Sequence, residues 1–225
     1  MAETLDFEAL WPFELGRYGT AKGQMPSIFA VVSFLKTGEL IEEPECVSDV
    51  LLDFVLGIDY YLSDGARQNL KLFIPRLVDS WDESRERARI AFLADEAVCN
   101  WLPLALEGRW LFERAKELRA ARGKIEGYRG LLVGAKQELA EFSDITEIVG
   151  TTLIAWGCRN YCCFGDALSD VVGEMMEDDL APGIFDAVMN SIDGVLKLGK
   201  EGPELDAFYV LEAAERFREV IPKAI

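Results

Sequence analysis

The sequence predicts an all-α protein: an irregular multi-helix bundle or stacked helical array of about ten helices, without a significant β-sheet. Three observations carry this. Apolar residues recur at three- and four-residue spacing almost throughout, runs of strict alternation rich in Val, Ile or Thr are missing, and no segment repeats at a fixed period. Of the 225 residues, 50% are hydrophobic, enough for a real core, so residues 1–225 read as a single domain with a weak subdivision point near 142–144.

The elements follow in order. A short helix is expected at 4–10, then a Gly-rich link to Gly23. Pro26 fits the first turn of a helix over 27–36, which Gly38 closes. The next helix, 47–62, has Val50, Leu51, Phe54, Val55 and Ile58 on one face. Ser63 and Asp64 cap a helix over 65–78 that Pro75 kinks. A long helix over 82–106 turns Ile90, Leu93, Ala94, Ala97, Val98 and Trp101 inward, and Pro103 bends or ends it. Helices over 109–122 and 124–142 are parted by Gly123. Asp144 with Glu147 resembles a capping box before an apolar helix to about 164. Gly165 breaks that helix, and Asp166 starts another to Leu180. Helices over 184–198 and 204–220 complete the set.

Charge narrows the function classes. The chain holds 40 acidic and 23 basic residues, a formal net charge of −17, and no histidine. Such a balance disfavours nucleic-acid binding, which needs cations to displace phosphate counterions. Without histidine there is no Ser-His-Asp triad, no Cys-His pair and no Glu-x-x-His carboxylate centre. Residues 1–65 carry net −9, residues 66–137 net +4 and residues 138–225 net −12. A basic middle between acidic ends predicts internal charge complementarity and a negative field over the C-terminal third. Residues 1–6 hold two acids and no base, unlike a secretory signal. The apolar stretch 145–164 contains Glu147, Arg159 and Asn160, which fits a buried helix better than a membrane span. Five cysteines, an odd number, point to a reducing cytoplasm.

The most specific constellation is a row of carboxylates. Asp166, Asp170, Glu174 and Glu177 fall on one helical stripe, with Asp178 beside it, while Leu168, Val171, Val172, Met175 and Met176 point to the core. Like charges at this spacing repel by a few tenths of a kcal/mol per pair, so the row does not serve helix stability. It reads as the solvated face of an amphipathic helix or as a recognition surface for a basic protein. A third reading joins Glu138 and Glu141 to Glu174 and Glu177 as magnesium ligands. These two acidic pairs resemble the paired motifs of all-helical nucleoside triphosphate pyrophosphatases, which implies a magnesium-dependent nucleotide phosphohydrolase. In that family two adjacent glutamates usually open the first motif and an Asp closes the second; here Gln137 precedes Glu138 and Glu177 is followed by Asp178.

Cys158, Cys162 and Cys163 share one side of the apolar helix and read as core packing, with Cys46 and Cys99 isolated. Arg159 is expected to find an internal carboxylate partner. Trp11, Trp81, Trp101, Trp110 and Trp156 are scattered, which predicts core and inter-helix packing rather than a ligand pocket. The glycines at 123, 127 and 130 lack the Lys-Ser or Lys-Thr and the preceding strand of a phosphate loop. No metal or cofactor is expected. The stretch 115–139, with Ala121-Arg-Gly-Lys-Ile-Glu126, is similar in rhythm to helical immunity proteins of bacterial toxin systems, though histidines frequent there are missing. The expected function is that of a non-enzymatic, acidic, cytoplasmic binding protein for a basic protein partner, of the immunity or antitoxin kind, without nucleic-acid or membrane binding and compatible with a homo-oligomer. A structural or scaffold subunit is the remaining alternative.

Overall fold

The computed structural model describes residues 14–17, 25–124, 127–157, 161–177, 181 and 183–198. Among them every regular element is helical and none is a strand. The helices expected over 4–10 and 204–220, and Cys158, Arg159, Asn160 and Asp178, lie outside the described residues. No helix among the described residues is long and apolar enough to cross a membrane.

The described residues divide into two compact units, the first within 14–48 and 62–81, the second within 49–61 and 82–198. In the first, α1 (Ile28–Thr37) starts at Ser27, whose hydroxyl accepts the Ala30 N–H, and ends at Gly38 in the left-handed conformation, φ 80°. Pro26 precedes the cap rather than occupying the first turn. Lys36 reaches Asp79 at 2.6 Å. The helix expected over 65–78 is three pieces: α2 (Asp64–Arg67), a 3-10 segment (Gln68–Phe73) and α3 (Ile74–Leu77). Pro75 offers no N–H and crowds the carbonyl four residues back, so the α-helical ladder cannot run through it. The buried Arg67 guanidinium donates to the Leu62 carbonyl at 2.8 Å and to Asp64 at 2.6 Å.

The second unit is built around α4 (Asp49–Tyr61) and α9 (Tyr161–Glu177), which make its most extensive helix contact. Between them in sequence come α5 (Glu83–Glu96), a π-helical turn (Ala97–Trp101), α6 (Leu102–Gly108), α7 (Phe112–Ala120), α8 (Tyr128–Glu138) and the helix Ser143–Gly157; Ile184–Lys197 follows α9. We call Ser143–Gly157 helix N and Ile184–Lys197 helix C. Residues 139–142 form the turn between α8 and helix N, and 142–144 span the entry into that helix. Val50, Leu51, Phe54, Val55 and Ile58 are all buried, as their spacing predicts. The α4–α9 approach depends on glycines. A Cβ at Gly57 would overlap the Ser169 side chain, one at Gly173 the Tyr61 ring, and one at Gly165 would stand 2.7 Å from the Phe54 backbone nitrogen. Gly165 is therefore not the helix breaker that its residue type suggests. It lies inside α9 because close packing on α4 excludes a side chain there. The same correction moves Cys162 and Cys163 onto α9, off the helix expected to carry them with Cys158.

A buried polar chain fixes the far side of this unit. Phe54 stacks on Trp101, ring centroids 5.6 Å apart. The Trp101 indole N–H donates to Ser191 Oγ at 3.2 Å, and the Ser191 hydroxyl lies 3.2 Å from Glu96 Oε2. Pro103 does not end the long helix, which runs on to Gly108. The π turn just before it, closed by the Leu102 N–H on the Ala97 carbonyl, opens the ladder where the proline ring would clash. Arg122 spans Asp95 and Glu96 at 3.0 and 2.6 Å. Gly123, at φ 77°, gives its N–H to Asp95 at 2.7 Å, and Tyr128 bonds Asp95 through its hydroxyl. Cys99 Sγ lies 3.3 Å from that hydroxyl. At the other end, Glu86, bound to the buried Arg89, accepts the Val50 N–H at 3.1 Å and satisfies the start of α4.

Two predictions follow from this packing. Gly165→Ala lowers stability by about 1–3 kcal/mol through overlap with backbone, outweighing a helix-propensity gain of up to about 1 kcal/mol. Gly134→Ala, whose Cβ would meet nothing within 4 Å, raises stability by about 0.5–1 kcal/mol. Urea midpoints of both variants measure this, and a Gly165→Ala protein as stable as wild type would contradict the close α4–α9 contact.

The second concerns alkaline pH. Burial pushes the Cys99 thiol up. Burial and the bond to Asp95 push the Tyr128 phenol well above its usual range. Both stay protonated in the fold where the unfolded chain ionises, at about 8.5 for a thiol and about 10 for a phenol. The unfolded state then holds fewer protons, so stability from these groups is intact below about pH 8.5. It falls as pH rises beyond that, by up to about 1.4 kcal/mol per unit for each group. Urea midpoints from about pH 8 to about pH 10.5 should drop accordingly, with a shallower drop in Cys99→Ala over the lower part of that range. A flat profile would refute the buried, protonated pair.

Candidate functional site

Helix α9 carries the predicted row of carboxylates. Its apolar residues Leu168, Val171, Val172 and Met175 are buried, while Asp170 is exposed and Glu174 half-buried. The amphipathic division read from the spacing is thus present, except that Met176, expected in the core, is half-buried; the side chains of Asp166 and Glu177 are outside the described set. Asp170 accepts from the Tyr61 hydroxyl of α4 at 3.3 Å. Glu174 faces helix N, where Thr151 Oγ1 lies 3.1 and 3.3 Å from its two oxygens. A neutral hydroxyl orients a carboxylate without cancelling its charge, so the Tyr61 contact holds Asp170 in place and leaves its negative field intact.

The other acidic pair is arranged differently. Glu138, at the end of α8, forms an ion pair with Arg114 of α7, and Glu141 is exposed on the turn that follows. Glu138 therefore turns to α7 and Glu174 to helix N. Among the described residues no three His, Cys, Asp or Glu side chains gather as metal ligands would.

Several arginines of the basic middle are engaged within the unit. Arg85 pairs with Asp82, Arg119 with Glu107, and Arg122 with Asp95 and Glu96. Arg109 with Asp144 and Arg114 with Glu138 reach into the acidic C-terminal third. Asp144 is thereby placed in the first turn of helix N as a partner for Arg109 and a local acceptor for the Ile145 N–H at 3.0 Å, rather than as the N-cap of the expected box.

A second surface was not anticipated. Trp101 is fully buried, as expected of a core tryptophan, but Trp81 is 48% and Trp110 79% exposed. Trp110 has φ 64°. The chain leaves α6 with the Trp110 N–H on the Glu107 carbonyl at 3.0 Å and the Leu111 N–H on the Leu106 carbonyl at 2.9 Å. This is a Schellman closure, with tryptophan in the left-handed position that glycine normally fills. For a residue with a Cβ that conformation costs roughly 1–2 kcal/mol. Trp110 meets Phe112 edge to face, centroids 5.9 Å apart. With Leu111, Leu139 and Phe142 they line a groove of about 530 Å³, bordered by Glu113, Arg114, Glu117 and Glu138. The available signal was the i, i+2 spacing of Trp110 and Phe112 shortly after Gly108, which no single helix face accommodates.

Comparisons with protein-family models, with characterised proteins and with solved structures return no match to this chain.

Proposed function

We propose that the protein is a non-enzymatic, acidic binding protein of the cytoplasm that engages a basic protein partner, in the manner of immunity proteins and antitoxins. The α9 carboxylates Asp166, Asp170, Glu174 and Glu177, with Asp178, form its recognition row. One observation carries the reading: Asp170 stands exposed on α9, held by a neutral hydroxyl rather than by a cation. Arg119 and Arg122 of the basic middle are occupied by ion pairs of their own, and neither is paired with the row. A row of this kind speeds encounter with a basic protein at low salt and rejects anionic competitors.

The experiment neutralises Asp170, Glu174 and Glu177 together to Asn, Gln and Gln and compares association rates against ionic strength for a basic partner isolated on the immobilised protein. The variant should be slightly more stable, by a few tenths of a kcal/mol per relieved repulsion. It should associate more slowly at low salt with a flatter salt dependence. Identical salt slopes for the two proteins would remove α9 from the interface.

A further inference from the structure

We propose that the groove between α6, α7 and α8 docks a short cationic segment of a protein partner that inserts apolar side chains against Trp110 and Phe112. The groove lies apart from the α9 row, and the inference rests on its own observations.

The first is conformational. Trp110 holds a left-handed backbone that disfavours any residue with a Cβ, while its ring is 79% exposed and returns little packing to the fold. Glycine at this position would close α6 without strain, so the indole is held at the surface against local preference. The second is apolar shape. Phe112 is 52% and Phe142 39% exposed, and together with Trp110 and the buried Leu139 they make a contiguous aromatic and aliphatic lining in a groove of about 530 Å³. Its size matches sites that enclose compact apolar groups.

The third is charge. Glu113, Glu117 and Glu138 stand at the border, and the one cation among the lining residues, Arg114, is tied to both Glu117 and Glu138. Lys116, itself largely exposed, is a loose 4.0 Å from Glu113. The border is therefore net negative, and the indole adds the negative face of its ring, which attracts ammonium and guanidinium groups. Lysine or arginine flanking an apolar anchor satisfies both features, whereas an acidic segment is repelled. The wall is also fixed in advance: Arg114 near the start of α7 is tied to Glu138 at the end of α8, and Arg109, just before Trp110, is tied to Asp144 in the first turn of helix N. Such preorganisation removes ordering cost on binding.

The test uses the full chain and a fluorescein-labelled synthetic peptide of about 14 residues, with Leu and Phe on one helical face and Lys elsewhere. A matched peptide with Glu in place of Lys and an oligo-lysine of equal charge serve as comparators, all titrated by fluorescence anisotropy. The Lys peptide should bind wild type at least about tenfold more tightly than either comparator. Trp110→Gly should lose about tenfold or more of that affinity while its urea midpoint rises. Glu113→Gln with Glu117→Gln should weaken binding chiefly at low salt, and the Asp170, Glu174, Glu177 neutralised protein should bind as wild type does. The inference fails if Trp110→Gly binds the Lys peptide as tightly as wild type, or if its midpoint falls, which would make Trp110 a packing residue. Equal binding of either comparator, or loss of peptide binding on neutralising α9, also overturns it. So does self-association of wild type that Trp110→Gly abolishes, which would assign the groove to a second copy of the chain.

Discussion

The missing side chains at Gly57, Gly165 and Gly173 are the constraint on which the larger unit depends. They let α4 and α9 meet with backbone near backbone, so that Ser169 sits against Gly57 and the Tyr61 ring against Gly173. That approach sets the position of Phe54, whose ring stacks on Trp101. From Trp101 the order passes through Ser191 to Glu96, and from the neighbouring Asp95 to Gly123 and Tyr128. A methyl group inserted between α4 and α9 would therefore strain more than one pair of helices, because close-packed interiors transmit displacement rather than absorb it.

Much of the fold was legible because it follows from periodicity and caps. The face of α4 is buried residue for residue, and Ser27, Ser63 and Gly38 cap or close helices as their types suggest. Where sequence reasoning went astray, a residue type had two physical uses. Glycine both breaks helices and permits close contact, and at Gly165 the second use prevails. Proline both stops and bends helices: at Pro75 the α-helical ladder gives way to a 3-10 segment, and at Pro103 a π turn upstream accommodates it. Of the candidate sites, the amphipathic division of α9 could be read directly, since spacing alone decides it. The hydroxyl contacts of Asp170 and Glu174 could not, because Tyr61 and Thr151 lie far away in sequence. Trp110 was misread for a third reason: tryptophan is ordinarily buried, and only the backbone at the end of α6 reveals that this one is held outward.

The distribution of charge has a structural counterpart. The excess of bases in residues 66–137 supplies arginines that stitch helices to one another, as Arg119 joins α7 to Glu107 of α6 and Arg122 joins the end of α7 to α5. Exposed pairs of this kind contribute little each, in the range of about 0–1 kcal/mol. Their greater effect is on the field. Arginines paired within the unit do not offset a distant acidic face beyond about a Debye length, ~8–10 Å at physiological salt. The basic middle thus compensates itself in part, through Arg119 and Arg122, and in part offsets the start of the acidic C-terminal third, through Arg109 with Asp144 and Arg114 with Glu138.

A carboxylate row and an aromatic groove would govern different stages of one encounter. Charge acts over a Debye length and raises the rate at which a basic partner arrives, yet exposed charges release it as readily. Apolar side chains seated against Trp110 and Phe112 would act only at contact, and would set how long such a partner stays. An acidic surface without an apolar anchor would collect basic proteins indiscriminately. An apolar groove without the surrounding carboxylates would gather any exposed hydrophobic segment. Specificity for a partner that is both basic and apolar at one point arises from requiring the two together, since a competitor lacking either feature loses one stage of the encounter. On this reasoning the left-handed strain at Trp110 is the counterpart of the like-charge repulsion along α9. Each is a local instability that the close-packed helices around it tolerate.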